Sequence, residues 1–504
     1  MPVSKSLSKS LYVRGLKCEK ALWLDKHKAD VLTPPDASAK AIFATGNEVG
    51  ELACDLFPGG NRIAYEGSSE AENIQLTKKW VEAGGETIYE ATFSYNDVLV
   101  KVDIFRNLGD GKVEIYEVKS STKPKDTHID DASIQHYVLE GLGYKVSGTY
   151  IVHINNQYVR GDALDVDQFL TIADISDEIK AKLADIPKKI EAFRQTLSSE
   201  TEPEIPIGPH CNKPNTCDAK DYCWHRQGQI PEYSIFNLTG IRAEKSFPLF
   251  HEGIITINDI IDPSGFSSAQ QIQIAAEQTK EESINREAIK QFLDGLSYPI
   301  YHLDFETIHP AVPRWKNTSP NQQIPFQYSI HIEYEDGKKD HKVIHHKEYL
   351  DASGDDPRYG LAKRLVEDIP KDATVLAYNM GFEKARIKSL AQSYSDLAPH
   401  LMNIHGNIQD LMAPFQNKDY YKAEMKGKYT IKKVLPALVP ELARAYEELD
   451  TVHKGDEATL AYDLIVSTDD EELARKLKDG LLEYCGLDTY AMVKVLEKLK
   501  AVVG

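Results

Sequence analysis

The stretch YHLDFET, residues 301–307, constrains the fold most, because it places two acids inside an apolar, aromatic run. Residues i and i+2 of a strand project to the same side, so Asp304 and Glu306 would point together. Two buried carboxylates this close repel each other, and a divalent cation is the usual compensation. The stretch therefore predicts one side of a metal site, with a solvated strand end as the plain alternative.

Length and composition indicate a protein of several domains. The chain has 504 residues, of which 41% are hydrophobic, enough for two or three separate cores. The first residues include SKSLSKSLYVRGLKC, which is not a signal peptide, and no window is long and apolar enough to cross a bilayer. Six cysteines are too few for a disulfide scaffold. We therefore expect a cytoplasmic protein without a membrane partner.

The net charge of -19 argues against a uniformly basic surface that coats nucleic acid. It does not exclude an enzyme whose basic groups are local, since metal-binding nucleases need clustered carboxylates. The sign of the total charge is therefore compatible with a nucleic-acid substrate.

The hydrophobic pattern predicts an α/β fold with two α/β domains. Strand-like runs occur at EATFSYNDVLVKVDIFRNL, KVEIYEVKS and SGTYIVHIN, and residues 165–200 read as helical and highly charged. Strands return after residue 296, followed by mostly helical sequence. We predict domains at 1–228 and 296–504. The stretch 229–295 is predicted to be a helical connector, in which LTGIRAEKSFPLFHEGIITINDI could form a helix-hairpin-helix element that grips DNA.

Two later segments carry acids that could join the strand pair. VLAYNMGFEKARIKSLA places Asn379 and Glu383 just after a strand, with Glu383 opening a helix. LLEYCGLDTYAM places Tyr484 and Asp488 four residues apart, hence on one helix face. The order is strand acids, helix acid, and then a helical tyrosine and acid.

This order resembles the DEDD exonucleases of the RNase H-like superfamily, in the branch with a tyrosine in the last motif, over roughly the last 210 residues. The matching residues are Asp304 and Glu306, then Asn379, Phe382 and Glu383, then Tyr484 and Asp488. The chain departs from the family at Glu383, where Asp is usual. The resemblance implies a 3'-5' exonuclease.

The resemblance also implies two Mg²⁺ or Mn²⁺ ions that clamp the attacking and leaving oxygens of a phosphodiester. Asp304 would bridge both ions, and Tyr484 would orient the water. Glu306, Glu383 and Asp488 would complete the metal ligands, with Asp410 in support. KGKYTIKKVLP could track a phosphate backbone or form a solvated helix face, and its basic residues are Lys426, Lys428, Lys432 and Lys433, around Tyr429.

A second set of polar residues lies in the first half. Asp103 lies on one predicted strand, Glu117 and Lys119 share a face of the next, and Gln135 follows in a helix. A carboxylate pair that binds a divalent ion, with a lysine beside it, can also cleave phosphodiesters. These features resemble the PD-(D/E)XK nucleases of the RecB-like branch. The upstream His of that branch is absent, and Glu48 or Glu51 would replace it.

Cysteines bracket this first core. The RecB-like branch often ties its ends together with a 4Fe-4S cluster, held by one cysteine before the core and three after it. The residues in these places are Cys18, Cys211, Cys217 and Cys223. The wider spacing of the last three departs from the family, so zinc stays open as the alternative ligand. Cys54 and Cys485 are predicted to be buried small hydrophobes.

The sequence thus predicts a fusion of an iron-sulfur PD-(D/E)XK nuclease with a DEDD exonuclease, acting on DNA ahead of RNA in repair or defence. One alternative keeps a single active site and makes the other domain a degenerate nucleic-acid-binding module. Another alternative is a non-catalytic adaptor with relic sites.

Overall fold

The computed structural model describes residues 7–64, 67–335 and 342–504, and these form a mixed α/β protein. The chain divides into two units. Unit 1 comprises Met1–Gln229 and Pro310–Gln322, and unit 2 comprises Ile230–His309 and Gln323–Gly504. The first boundary lies next to the predicted one at 228. Residues 230–295 of the predicted connector 229–295 lie within unit 2.

The described part of unit 1 is built on one seven-stranded sheet with the order β2-β3-β4-β5-β6-β7, in which β1 pairs with β4. Strands β3, β4 and β5 are antiparallel, β5 and β6 are parallel, and β7 runs antiparallel to β6. The strands are β1 Leu7–Ser8, β2 Asn61–Arg62, β3 Thr87–Tyr95, β4 Val98–Gly109, β5 Lys112–Lys119, β6 Lys145–Ile154 and β7 Leu170–Asp174.

The turn between β3 and β4 follows from two residues that tolerate positive φ. Asn96 and Asp97 both have φ of 49°, the backbone that matches the twist of a two-residue hairpin. Strand β7 falls inside residues 165–200, so the prediction that this stretch is helical is wrong there. Its strand pairing with β6 outweighs the weak local preference of LTIAD.

Helices cover the sheet of unit 1. Strands β5 and β6 are joined by a helical crossover, as parallel neighbours require, and its Ile134 and Val138 pack with Val102 and Ile115 in the core. The helices are α1 Lys9–Lys17, α2 Glu19–His27, α3 Ala37–Cys54, α4 Glu70–Glu82, α5 Asp126–Gly141, α6 Val166–Phe169, α7 Ser176–Leu183 and α8 Ile186–Ser198.

Residues 310–322 pack within unit 1. The backbone of Arg160 exchanges hydrogen bonds with Asn317 and Thr318 at 2.8 and 3.0 Å. Its guanidinium donates to the carbonyl of Pro313 at 2.8 Å. The chain therefore leaves unit 2 after His309 and returns to it at Gln323.

Unit 2 contains a five-stranded sheet, among its described residues, with the order β11-β10-β9-β12-β13. Strands β9, β10 and β11 are antiparallel, whereas β12 and β13 run parallel to β9. A separate antiparallel pair joins β8 and β14. The strands are β8 Ser283–Ile284, β9 Ile300–Ile308, β10 Ile324–Glu335, β11 Lys342–Leu350, β12 Thr374–Ala377, β13 Ile408–Asp410 and β14 Tyr420–Tyr421.

Strand β9 alternates between two buried faces. Leu303 and Phe305 pack in a core with Ile330 and Val375, so Asp304 and its i±2 neighbours face the other side. The helices of unit 2 are α9 Ala243–His251, α10 Ser268–Thr279, α11 Arg286–Asp294, α12 Arg358–Asp368, α13 Met380–Ser393, α14 Ala398–Asn407, α15 Ala413–Gln416, α16 Ile431–Leu438, α17 Gly455–Ser467 and α18 Glu471–Ala501.

Helix α18 lies against β9 and β10 and buries one long stripe. Its N-cap is Asp470, whose carboxylate accepts from the backbone amides of Glu472 and Leu473 at 3.0 Å and so satisfies two donors that have no partner within the helix. Buried side chains recur every three or four residues, at Leu481, Tyr484, Cys485, Asp488, Met492, Val495 and Leu499. Two of the predicted site residues thus lie on the face that meets the sheet.

Across the described residues, no helix combines the length and apolar character needed to cross a bilayer.

Candidate functional site

The two acids of β9 come together with helix α18. One ligand atom each from Asp304, Glu306 and Cys485 lies within 4.8 Å of the other two. The Cys485 thiol donates to Asp304 Oδ2 at 3.9 Å. The sequence did not predict this contact, because a free cysteine is usually a small buried core residue. Cys485 is buried, in accord with the prediction for it. The two acids of β9, Asp304 and Glu306, therefore face α18 rather than open solvent.

Glu383 reaches the same place from α13. Its side chain is 1% exposed, and its Oε2 atom has no hydrogen-bond partner among the residues that the structure describes. The turn before α13 is held by Asp410, whose Oδ1 accepts from the backbone amides of Asn379 and Met412 at 3.0 and 2.9 Å. Asn379 adopts φ of 75°. Asp410 thus holds the turn that precedes α13, the helix that carries Glu383.

The four acids repel one another. Burial, and then the charge of Asp488, raises the pKa of Asp304 well above its usual range. Burial, with Asp304 and then Asp488, does the same to the pKa of Glu306. Burial and Asp304 also raise the pKa of Glu383, and burial raises the pKa of Asp488. Acids from three distant segments therefore lie close enough for their charges to influence one another.

Two further residues hold the α18 side of the cluster. Lys432 Nζ donates to Tyr484 Oη at 2.9 Å and to the carbonyl of His453 at 2.8 Å. Tyr446 Oη donates to Asp488 Oδ1 at 2.6 Å. Sequence reasoning missed Tyr446, because an isolated tyrosine outside the three motifs gives no signal.

Lys432 differs from the other lysines of its segment. It is only part-exposed at the acid cluster, whereas Lys426, Lys428 and Lys433 are exposed. Tyr429 is half-buried, and its carbonyl accepts from Tyr378 Oη at 2.7 Å. The segment therefore offers both an acid-site cation and a set of exposed cations.

The predicted residues of unit 1 also meet. Glu117 is 1% exposed. Its Oε1 accepts from Lys119 Nζ at 2.7 Å and its Oε2 from Gln135 Nε2 at 2.6 Å. Asp103 Oδ2 accepts from the backbone amide of Val118 at 2.7 Å. Burial, and then Glu117, raises the pKa of Asp103 to about 7.

Three more charged residues complete this cluster, and sequence reasoning missed them. Lys9 donates to Glu117 Oε1 at 2.8 Å, and Asp131 accepts from Lys119 at 2.5 Å. Burial and Glu117 raise the pKa of Asp131 to about 6. Although burial opposes it, Lys119 and Lys9 hold the pKa of Glu117 well below its usual range. Glu90, at φ of 58°, adds a charge near Asp103.

The residues suggested in place of the upstream His have other surroundings. Glu51 pairs with Arg62 at 2.7 Å, and Glu48 is exposed on α3. Asp131 was identifiable in principle, since it lies four residues before Gln135 on the same helix face.

The four bracketing cysteines converge. Burial, opposed by Lys20, raises the pKa of Cys223 to about 11, and the neighbouring thiols of Cys211, Cys217 and Cys18 contribute to this rise. The backbone amide of Cys217 donates to the carbonyl of Cys211 at 2.8 Å. Cys54 is only half-buried, with its thiol 3.4 Å from the carbonyl of Gly50 and 3.1 Å from Arg62. The prediction that Cys54 is buried is therefore wrong.

The spacing of the thiols bears on the group they could hold. Throughout the described residues, the sulfur atoms of no three of these cysteines lie within 4.8 Å of one another. Tetrahedral zinc with Zn–S bonds of about 2.3 Å would bring its sulfurs to about 3.8 Å. The four thiols are therefore spaced more widely than the ligands of a single tetrahedral zinc ion.

Comparison with known proteins gives two matches. A family model described as a domain of unknown function, DUF2779, matches residues 301–430, a range that contains Asp304, Glu306 and Glu383. The uncharacterized protein UU173 of Ureaplasma parvum serovar 3 is 26% identical over 241 residues, which covers 44% of this chain and 34% of that protein. The chain thus matches about a third of the length of this relative.

Proposed function

We propose that unit 2 is a metal-dependent nuclease of the DEDD type, with 3'-5' exonuclease activity. The observation that carries the proposal is that Asp304, Glu306, Glu383 and Asp488, three of them buried, lie close together, with pKa values raised by burial and, for the first three, also by neighbouring acids. Buried like charges are costly unless cations balance them. The position of β9, between antiparallel and parallel neighbours, supports an RNase H-like fold.

The residues of the acid cluster in unit 2 would have different roles in the reaction. Asp304, Glu306, Glu383 and Asp488 would hold two Mg²⁺ or Mn²⁺ ions. Such ions activate a water and stabilise the charge on the oxygens of the phosphodiester. Within the described ranges, one carboxylate oxygen of Glu383 accepts no hydrogen bond, which leaves it available to bind a cation. Tyr484 would orient the attacking water, and Lys432 fixes its hydroxyl at 2.9 Å. Tyr446 orients the carboxylate of Asp488 through a hydrogen bond to its Oδ1 atom.

The test is a panel of end-labelled DNA and RNA, single- and double-stranded, incubated with Mn²⁺. Wild type should shorten at least one substrate from its 3' end, and Asp304→Asn should remove that activity. The matched control is Asp294→Asn, an exposed acid of α11 that pairs with Lys290, and it should keep full activity. Wild type that leaves every substrate intact would contradict the proposal and favour a non-catalytic adaptor.

We further propose that unit 1 is a PD-(D/E)XK nuclease of the RecB-like type. Asp103 and Glu117 would hold a divalent ion, Lys119 would stabilise charge on the phosphate, and Gln135 orients Glu117 at 2.6 Å. A 4Fe-4S cluster would be held by Cys18, Cys211, Cys217 and Cys223, with zinc as the alternative. The proximity of the four thiols and their spacing, which is wider than one zinc ion needs, support the cluster.

One observation favours a second candidate for unit 1, a nucleic-acid-binding module without cleavage. Both oxygens of Glu117 already accept hydrogen bonds, from Lys9, Lys119 and Gln135. Lys119→Ala in the same panel separates the candidates. Loss of an activity that survives in Asp304→Asn supports a second nuclease site, whereas weaker binding with unchanged cleavage supports the module.

DNA is the proposed substrate ahead of RNA, in repair or defence inside the cytoplasm. The exposed Lys426, Lys428 and Lys433 would contact phosphates, and their contribution should weaken as salt rises. Since the panel contains both nucleic acids, it also decides this preference.

A further inference from the structure

Helix α1 connects the two clusters of unit 1. Lys9 is its first residue, and Cys18 follows its last residue as the C-cap. Nine helical residues span roughly 13 Å. One short helix thus carries a cation of the acid cluster at one end and a thiol at the other.

The N-terminal end of α1 is fixed to the acid cluster. Lys9 Nζ lies 2.8 Å from Glu117 Oε1 and 3.7 Å from Asp131 Oδ2. The same Oε1 atom accepts from Lys119. Lys9 therefore approaches a carboxylate that is predicted to bind metal and fixes its orientation from a second side.

The C-terminal end of α1 is fixed to the loop that carries the later cysteines. The guanidinium of Arg14 donates to both carboxylate oxygens of Asp218 at 2.9 Å. Lys17 Nζ donates to the carbonyl of Asn215 at 2.6 Å. Asp218 directly follows Cys217 in the chain. Any group that holds the four thiols together therefore also fixes the C-terminal end of α1.

The middle of α1 cannot bend freely. A Cβ on Gly15 would lie 2.9 Å from the ring of Phe193, so glycine is needed for this close approach to α8. Tyr12 is buried and meets Phe193 edge to face at a centroid distance of 5.6 Å. A displacement at one end of α1 should therefore be transmitted to the other end, since closely packed interiors have low compressibility and transmit strain.

We propose that occupancy of the four thiols sets the position of Lys9 through α1, which makes Lys9 a positioning residue of the acid cluster in unit 1. This inference rests on the proposed iron-sulfur and nuclease roles of unit 1. When the thiols hold their group, α1 is fixed at both ends and Lys9 orients Glu117. When the group is lost, the C-terminal end of α1 loosens and the bond between Lys9 and Glu117 weakens.

The direct test is competitive acylation of lysines with acetic anhydride in the full chain, read by mass spectrometry. Anaerobically purified protein is compared with the same protein after iron removal and with Cys18→Ser. Acylation of Lys9 should rise several-fold on iron loss. Lys78, which pairs with Glu82 on the surface of α4, should not change. Equal acylation of Lys9 in both states, or a purified protein without iron or zinc, overturns the inference.

Hydrogen exchange of the backbone amides of α5 is the control for global unfolding of unit 1. If iron loss unfolded unit 1 as a whole, amides of α5 would lose protection with those of α1, and the coupling through α1 would be refuted as a specific effect. Loss of protection confined to α1 and the cysteine loop supports it.

A second readout uses the Asp304→Asn chain, in which cleavage can come only from unit 1. Lys9→Ala should lower kcat more than it raises KM, Lys9→Arg should restore part of kcat, and iron removal should add little to Lys9→Ala. If iron removal lowers kcat of Lys9→Ala by the same factor as it lowers kcat of the chain with Lys9, the two effects are independent and the coupling through α1 is refuted. If this chain has no cleavage at all, the nuclease role of unit 1 fails, and the acylation result alone decides whether α1 couples the clusters.

Discussion

Lys432 donates a hydrogen bond to the hydroxyl of Tyr484 at 2.9 Å and thereby connects α16 to the acid cluster on α18. Its ammonium lies 4.6 Å from the centre of the Tyr484 ring and 4.9 Å from that of Tyr446. It also opposes the rise in the pKa of Asp304, Glu306 and Asp488. One cation therefore orients a tyrosine and reduces the repulsion among three acids.

Replacing this cation should impair catalysis more than folding. We expect Lys432→Met to lower the rate of unit 2 roughly 100-fold, because a misplaced catalytic group can cost that much. The measurement is single-turnover cleavage with Mn²⁺ in excess. Lys433→Met is the matched control, since Lys433 is the exposed neighbour. Equal rates in the two variants would show that Lys432 does not contribute to catalysis.

Divalent cations should stabilise the protein more as pH rises. A carboxyl whose pKa is higher in the folded chain than its unfolded value near 4 destabilises the metal-free folded state as pH rises through the folded pKa. Mn²⁺ competes with those protons, so the rise in Tm that it causes should be larger at pH 8 than at pH 5.5. At 100-fold excess over Kd the gain in unfolding free energy is about 2.7 kcal/mol.

This linkage depends on the acid cluster of unit 2, so a variant can test its source. Asp304→Asn should raise the Tm of the metal-free protein at pH 8 and abolish most of the Mn²⁺ effect. A Tm increase that is independent of pH, or one that persists in Asp304→Asn, would show that the cation binds elsewhere.

Tyr446 should control the pH profile of cleavage. Its hydrogen bond to Asp488 Oδ1 favours the ionised carboxylate and opposes the burial that raises the pKa of Asp488. Tyr446→Phe should therefore move the acid limb of the rate profile to higher pH by about one pH unit. Tyr359→Phe, which removes an exposed contact to Asp396 at 3.2 Å, should leave the profile unchanged. A shift to lower pH would contradict this role.

The thiols of unit 1 should hold iron. Anaerobically purified protein should be brown and contain about four iron atoms per chain, and Cys18→Ser or Cys223→Ser should lower the iron content. Cys54→Ser should keep it, because the Cys54 thiol contacts Gly50 and Arg62 instead. Colourless protein with one zinc ion per chain would support the zinc alternative.

Sequence patterns predicted the acids of both units because short-range periodicity fixes which side chains share a face. Asp304 and Glu306 follow the strand period, and Tyr484 and Asp488 follow the helical one. Their convergence with Glu383 depends on the order of the strands, which the resemblance supplied and the residues alone did not.

The residues that sequence reasoning missed come from segments without a local pattern. Lys9 directly follows β1 but lies 108 residues before Glu117 in the chain, and it reaches that carboxylate only through tertiary packing of α1. Tyr446 lies outside helices and strands, so no periodicity indicates its orientation. The strand β7 was missed because pairing with β6 decides its structure.

The excursion of residues 310–322 into unit 1 has a practical consequence for expression of separate fragments. Strands β9 and β10 are neighbours in the sheet of unit 2, yet the chain between them supplies hydrogen-bond partners to Arg160 in unit 1. A single cut at Gln229 would therefore separate this segment from Arg160, its hydrogen-bond partner in unit 1. Fragments intended for crystallisation should replace it with a short hairpin, or the two halves should be co-expressed.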